Sequence, residues 1–371
     1  MRALLLDTGF SAEPILGALT RSGFEVITVG SYPQDHLAAG NERYICANYA
    51  DVSEVQRIAI EARADLIVPG CTDVSYMSAC RAAKRLGMSG YDDPSLVSTL
   101  HQKQYFRRMC IDINVSVPAV FDPMAATVKC AYPLIVKPVD SYSGNGITVL
   151  RQPDDEKLAA AYQLATTYSA SGEAIVEQYV EGQLYSYSAF LRAAKVRQDF
   201  LVAEYGFDTE FAVDTSYLVA NEDLSRALTS ITERIACHLG IQNGLLHTQF
   251  IESGDEIFVI ELARRCPGDL YSELIRCATG CGYAESYLST FIQSPLAQPA
   301  SFERTNIVRR TIKKREGELA MQFDGLSGIN DLSVYPVRRP NDERVAIALL
   351  HMKSEQDRDR LLQQLAQRGN E

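Results

Sequence analysis

Residues 132–148 read Tyr-Pro-Leu-Ile-Val-Lys-Pro-Val-Asp-Ser-Tyr-Ser-Gly-Asn-Gly-Ile-Thr, which sets a lysine beside a glycine-serine turn. An apolar strand, Leu134 to Val136, delivers Lys137 into a turn built from Ser141, Ser143, Gly144 and Gly146. Glycine lets the main chain bend and approach a ligand closely, so the N–H groups of such a turn are unshielded. A lysine on one side and a cradle of amides on the other can hold a polyphosphate. The P-loop pattern differs: it ends in Gly-Lys-Ser/Thr and runs into a helix. Here the lysine comes first and a second strand, Ile147 to Leu150, follows, so the turn is expected at the tip of a hairpin, as a lid.

Two further stretches carry chemistry. Ile175-Val-Glu177-Gln178-Tyr179-Val180-Glu181-Gly182 is an apolar strand that ends in a short hinge, whose backbone C=O and N–H groups suit an adenine edge. Gly244-Leu-Leu-His247-Thr-Gln249-Phe and Ile257-Phe-Val-Ile-Glu261-Leu-Ala263-Arg264-Arg265-Cys-Pro267-Gly268-Asp269 form the other. On adjacent antiparallel strands Gln249 and Glu261 can present oxygens to one Mg²⁺. One of Arg264 and Arg265 would face a phosphate or carboxylate, which a planar guanidinium grips in bidentate fashion. Gly268 and Asp269 are expected to open the next helix and add N–H groups to an anion site. His247 is read as a core histidine.

Elements must hold these groups in place. Over the first ninety residues short apolar strands (Ala3–Leu6, Val26–Val29, Leu66–Val68) alternate with helices, which implies a parallel, Rossmann-like sheet. Its first turn, Asp7-Thr8-Gly9-Phe10-Ser11, lacks Gly-x-Gly-x-x-Gly, so no dinucleotide site is expected there and a dehydrogenase is the weakest reading. Thr72 or Asp73 should cap a helix from Val74. A helix is expected from Leu96 to Cys110, carrying Lys103, and alternation marks strands at Leu184–Leu191 and Phe211–Leu218. A long amphipathic helix should fill Leu224–Leu239. The last seventy residues give strands near Ile307–Ile312 and Val345–Leu350 and a helix at Glu355–Ala366.

The 371 residues suffice for two to four lobes. A net charge of −11 argues against nucleic acid or an anionic membrane as partner. No apolar run nears the roughly 20 residues of a membrane span, and Ala3–Leu6 is too short for a leader. Nine cysteines in scattered positions fit a reduced, cytoplasmic protein, with Cys277 and Cys281 unsupported as a metal pair.

The order of these motifs resembles the ATP-grasp superfamily of carboxylate–amine or carboxylate–thiol ligases, over nearly the whole chain. The resemblance implies mixed α/β and α+β architecture: a Rossmann-like pre-ATP-grasp domain (1–95), a small lobe with the phosphate lid (96–178), a large lobe with the metal and substrate site (179–300) and a small C-terminal α+β lobe (301–371). It implies ATP and Mg²⁺, with Lys103 and Lys137 on the phosphates and the main chain from Glu177 to Val180 on adenine. Glu261 takes the place of the strongest magnesium ligand and Arg265 that of the arginine in Glu-x-Asn-x-Arg, holding the carboxylate or its acyl phosphate. Arg309 and Arg310 would close the same pocket. The chain departs from the pattern at Gln249, where a carboxylate is usual, at Ala263, where an asparagine is, and at Leu184, leaving Glu181 or Gln183 for the ribose. The function so implied is ATP-dependent joining of a small carboxylate to an amine, as in an L-amino acid ligase. Its rivals are a bicarbonate-using carboxylase and a nucleotide-binding protein without turnover. A homodimer is a family-level expectation.

Overall fold

The computed structural model describes residues 1–123, 132–140, 144–207, 211–298, 305–314, 328–337 and 343–369. Its first sheet holds β1 (Arg2–Leu6), β2 (Glu25–Gly30), β3 (Tyr44–Cys46) and β4 (Leu66–Pro69), all parallel, in the order β3-β2-β1-β4. The helices α1 (Glu13–Arg21), α2 (Val52–Glu61) and α3 (Asp73–Arg85) link these strands and cover them. Leu4, Leu5 and Leu6 are fully buried, each side chain stabilising the fold by about 1.5–3 kcal/mol. Strand alternation sends Leu4 and Leu6 into one core with Val55 and Ala79, and Ala3 and Leu5 into another with Tyr271, Tyr283 and Tyr287. The second core joins the first sheet to the body that carries the cleft.

The helix expected over Leu96–Cys110 is two: α4 (Pro94–His101) and α5 (Lys103–Asp112). Gln102 between them is extended (φ −94°, ψ 104°), so Lys103 opens a new helix instead of lying inside one. The second sheet, antiparallel in the order β5-β8-β6-β7, comprises β5 (Val120–Phe121), β6 (Leu134–Pro138), β7 (Thr148–Leu150) and β8 (Ala174–Gln178), backed by α6 (Asp155–Thr167). The expected hairpin is thus β6–β7, and Lys137 lies on its first strand.

The largest sheet has eight strands. These are β9 (Gln183–Arg192), β10 (Lys195–Tyr205), β11 (Thr215–Leu218), β12 (Gly244–Ser253), β13 (Glu256–Ala263), β14 (Asn306–Lys313), β15 (Ile329–Pro336) and β16 (Arg344–Met352), in the order β13-β12-β9-β10-β11-β14-β16-β15. The strand expected from Phe211 starts only at Thr215. The last strands are not a separate layer: β11 pairs with β14, with Thr215 opposite Arg310 and Tyr217 opposite Val308. The helices α7 (Glu222–Leu239), α8 (Tyr271–Thr279), α9 (Tyr283–Leu288) and α10 (Glu355–Gly369) complete the fold. Among the described residues no helix is long and apolar enough to cross a membrane.

Candidate active site

Lys137 is nearly buried at the end of β6, and its Nζ lies 2.5 Å from Glu177 Oε2. Glu177 follows from the pairing of β8 with β6, which sets it opposite Ile135, and its side chain is completely enclosed. From α5 the buried Arg107 approaches the same carboxylate, with Nε 2.8 Å from Oε1 and Nη2 3.5 Å from Oε2. Burial pushes the Glu177 carboxyl up, but Lys137 and Arg107 outweigh it and hold the group below its ordinary value. Arg107 Nη1 is buried with no partner among the described residues. Lys103 donates from Nζ to the Val139 carbonyl at 2.9 Å. Burial lowers its pKa, Lys137 and Arg107 add to that, and Glu261 and Glu177 oppose it. Three cations thus converge where one carboxylate is fully enclosed, a region suited to polyphosphate charge.

Gly144 and Gly146 have φ of +74° and +73°. A Cβ on Gly144 would sit 2.9 Å from the Phe211 carbonyl, and one on Gly146 would sit 2.7 Å from Tyr168 Cβ. Both conformation and space therefore demand glycine at this hairpin tip. Ser141 and Ser143 lie outside the described residues.

Beyond β8, the Gln178 N–H bonds the Ala119 carbonyl at 2.8 Å and the Tyr179 N–H bonds that of Pro133 at 3.0 Å. Val180 is buried. Glu181 is exposed and pairs with Arg151 at 3.0 Å, whose guanidinium also lies 5.6 Å from the Tyr179 ring. The Gln183 amide donates to the Leu184 carbonyl (2.8 Å) and the Glu204 carbonyl (3.0 Å).

At the other end lies a cleft of about 170 Å³, lined by Glu204, His247, Gln249, Glu261, Arg265 and Asp269, among others. Gln249 and Glu261 face one another in the β12–β13 register. Glu261 is exposed, and its charge acts on both Lys103 and Arg265. Glu204, which the sequence did not single out, is buried on β10. It accepts from the Gln249 amide at 2.7 Å and from the Ser186 hydroxyl. Burial pushes its carboxyl up to about 7 against those hydrogen bonds, with Asp269 adding repulsion and Arg309 relief. His247 also lines the cleft. Burial, with the Arg265 guanidinium, pushes its imidazole down to about 3, so the ring is neutral near pH 7.

The two arginines have different duties. Arg265 forks onto Asp73 at the start of α3, with Nε 2.9 Å from Oδ1 and Nη2 3.2 Å from Oδ2. Arg264 points away from the cleft, onto Asp92 (2.6 and 3.0 Å) and the carbonyls of Asn243 and Leu245. It clamps the strand end to the linker after α3. Thr72, not Asp73, caps α3, by accepting from the Ser75 N–H. Gly268 and Asp269 do not open the next helix, which starts at Tyr271 after left-handed Leu270. The Gly268 carbonyl instead accepts from Ser11 Oγ at 2.5 Å. Arg309 is buried against the Asp269 carbonyl (2.8 Å) and Thr311 (2.8 Å), and Arg310 bonds Asp214 (2.9 Å) and Thr215 (2.7 Å). Arg309 therefore reaches the cleft through Asp269, whereas Arg310 is tied to the β10–β11 connection.

Residues 130–273 match the model of the ATP-grasp domain. A 191-residue stretch is 30% identical to the formate-dependent phosphoribosylglycinamide formyltransferase of Burkholderia vietnamiensis, covering 48% of this chain and 46% of that protein. The matched stretch thus spans about half the length of that curated relative. Among solved structures, the L-amino acid ligase from Bacillus licheniformis superposes with a TM-score of 0.75 at 16% identity, over 98% of this chain and 96% of that one. The phosphoribosylglycinamide synthetase from Anaerococcus prevotii gives 0.72 at 17%, over 97% and 96%. At such identities these two show a shared fold. Residues 130–273 are thus matched to the ATP-grasp domain, and the chain as a whole shares the fold of these two solved structures.

Proposed function

We propose that this chain joins a small carboxylate to an amine at the expense of ATP, releasing ADP and phosphate. The observation that carries the reading is the pair Gln249 and Glu261, set opposite one another on β12 and β13 in a cleft that Arg265 also lines. A carboxylate and an amide oxygen beside a guanidinium that Asp73 holds in place fit phosphoryl transfer from the cationic end to a substrate carboxylate. Carboxylate oxygen attacks the γ-phosphoryl group of ATP to give an acyl phosphate and ADP. The amine then displaces phosphate to form the amide.

Lys103 and Lys137 neutralise phosphate charge, and the Val180 N–H supplies a donor to the base, since those of Gln178 and Tyr179 are spent. Gln249 and Glu261 offer two oxygens on facing strands, which suits Mg²⁺, an ion that keeps several waters and needs few protein ligands. Bound there, the metal would offset charge on the phosphates. Arg265, aimed by its fork onto Asp73, would face the carboxylate with its charge. Arg265→Lys keeps the charge but loses the fork onto Asp73 that aims it. It should lower kcat/KM by about ten- to a hundred-fold, on the order of 1.4–2.8 kcal/mol; an unchanged value would remove Arg265 from this role.

ADP release with Mg²⁺ and ATP, measured over pools of amino acids and small carboxylates (formate included) with amine acceptors, tests the reading. Release that depends on the pool and stops with EDTA is expected. Pool-independent silence with ATP bound would favour a nucleotide-binding protein without turnover, which the neutral pair Gln249 and Ala263 would suit. Bicarbonate-dependent release would favour a carboxylase.

A further inference from the structure

Among the described residues His247 is the one histidine lining the cleft, and a chain of buried hydroxyls stands behind it. Its Nδ1 lies 2.8 Å from Ser188 Oγ, and Ser188 Oγ lies 2.9 Å from the Tyr283 hydroxyl. Ser188 is wholly enclosed and Tyr283 almost so. The β9–β12 register sets Ser188 directly opposite His247, so the contact follows from strand pairing. A phenol has one proton, and in an enclosed site that proton must find an acceptor. Ser188 is the acceptor at hand for Tyr283. The serine proton then goes to His247 Nδ1. That direction leaves the ring's own proton on Nε2, the nitrogen on the edge turned from Ser188. The Tyr271 ring meets the imidazole edge-on at 5.3 Å and fixes its plane.

We propose that His247 contacts substrate: its Nε2–H, held as a donor by the Tyr283–Ser188–His247 chain, binds an oxygen of the carboxylate or acyl phosphate beside Arg265. The inference rests on the ligase reading of the cleft. A donor held in this way adds a directed hydrogen bond where Arg265 already supplies charge. It is also selective, since it rewards an acceptor oxygen and gives nothing to an ammonium group.

The tautomer can be read without turnover, which separates failure of this inference from failure of the ligase reading. Nitrogen-15 NMR of histidine-labelled protein, with His247 assigned through His247→Gln, should show Nε2 protonated and Nδ1 bare. Titrating acetate or inorganic phosphate into the MgADP-loaded protein should shift the His247 Nε2–H signal. Tyr283→Phe or Ser188→Ala should mix the tautomers and raise KM for the carboxylate several-fold more than KM for ATP, whereas His247→Gln, which keeps a donor near Nε2, should retain more activity than His247→Leu. A proton found on Nδ1 in the unaltered protein would overturn the assignment. So would a His247 signal indifferent to both anions.

Discussion

Glu177→Ala should destabilise the protein by about 3–5 kcal/mol, the usual cost of removing one partner from a buried ion pair. Glu177 is fully enclosed, and its loss removes the counter-charge that Lys137 and Arg107 share among the described residues. Chemical denaturation measures the effect. Glu181→Ala, on the exposed pair with Arg151, serves as control and should change stability by no more than about 0.5 kcal/mol. The same site sets part of the acid sensitivity. Because the folded carboxyl titrates below its unfolded value of 4.5, its contribution is complete above pH 4.5 and is lost as pH falls through the lower folded value. Glu177→Gln should therefore flatten the acid limb of the stability profile. An equally steep limb in the variant would assign that sensitivity to other groups.

Glu261→Gln should leave folding intact and lower turnover by about 10²–10³-fold, the scale of removing one preorganised electrostatic partner. The side chain is exposed, so the substitution alters charge with little loss of packing. It should also raise the Mg²⁺ concentration needed for half-maximal rate. Full activity at unchanged Mg²⁺ demand would refute the site. Gln249→Glu is the complementary change. Glu204 already accepts from the Gln249 amide at 2.7 Å, and a carboxylate there would face another carboxylate. A working enzyme should lose rate on that substitution, whereas a site without turnover should gain metal affinity.

Much of the frame was legible because periodicity reports which face of an element is buried. The alternating strands of the first sheet, the hairpin that carries Lys137, and the facing of Gln249 and Glu261 all follow from local pattern. Partners are another matter. Arg107 and Glu177 are 70 residues apart, and Glu204 and Gln249 are 45 apart. No local signal joins such pairs until strand order and register are known. Adjacent arginines look alike in sequence, yet Asp73 takes Arg265 and Asp92 takes Arg264, because the chain turns at the end of β13. His247 was read as a core residue, and it is buried as expected; its place on the cleft became visible only with the register against Ser188.

The pairing of β11 with β14 bears on modularity. Arg309, on β14, holds Asp269 from outside the stretch that matches the ATP-grasp domain. Asp73 and Asp92, which hold the two arginines of that stretch, lie outside it on the other side. An excised fragment of residues 130–273 would carry the family's signature with its guanidinium fork unanchored. Recombination or domain grafting that moved this fragment alone would transfer the motif and leave behind what aims it, so the inheritable working unit is the long chain that encloses the domain on both flanks.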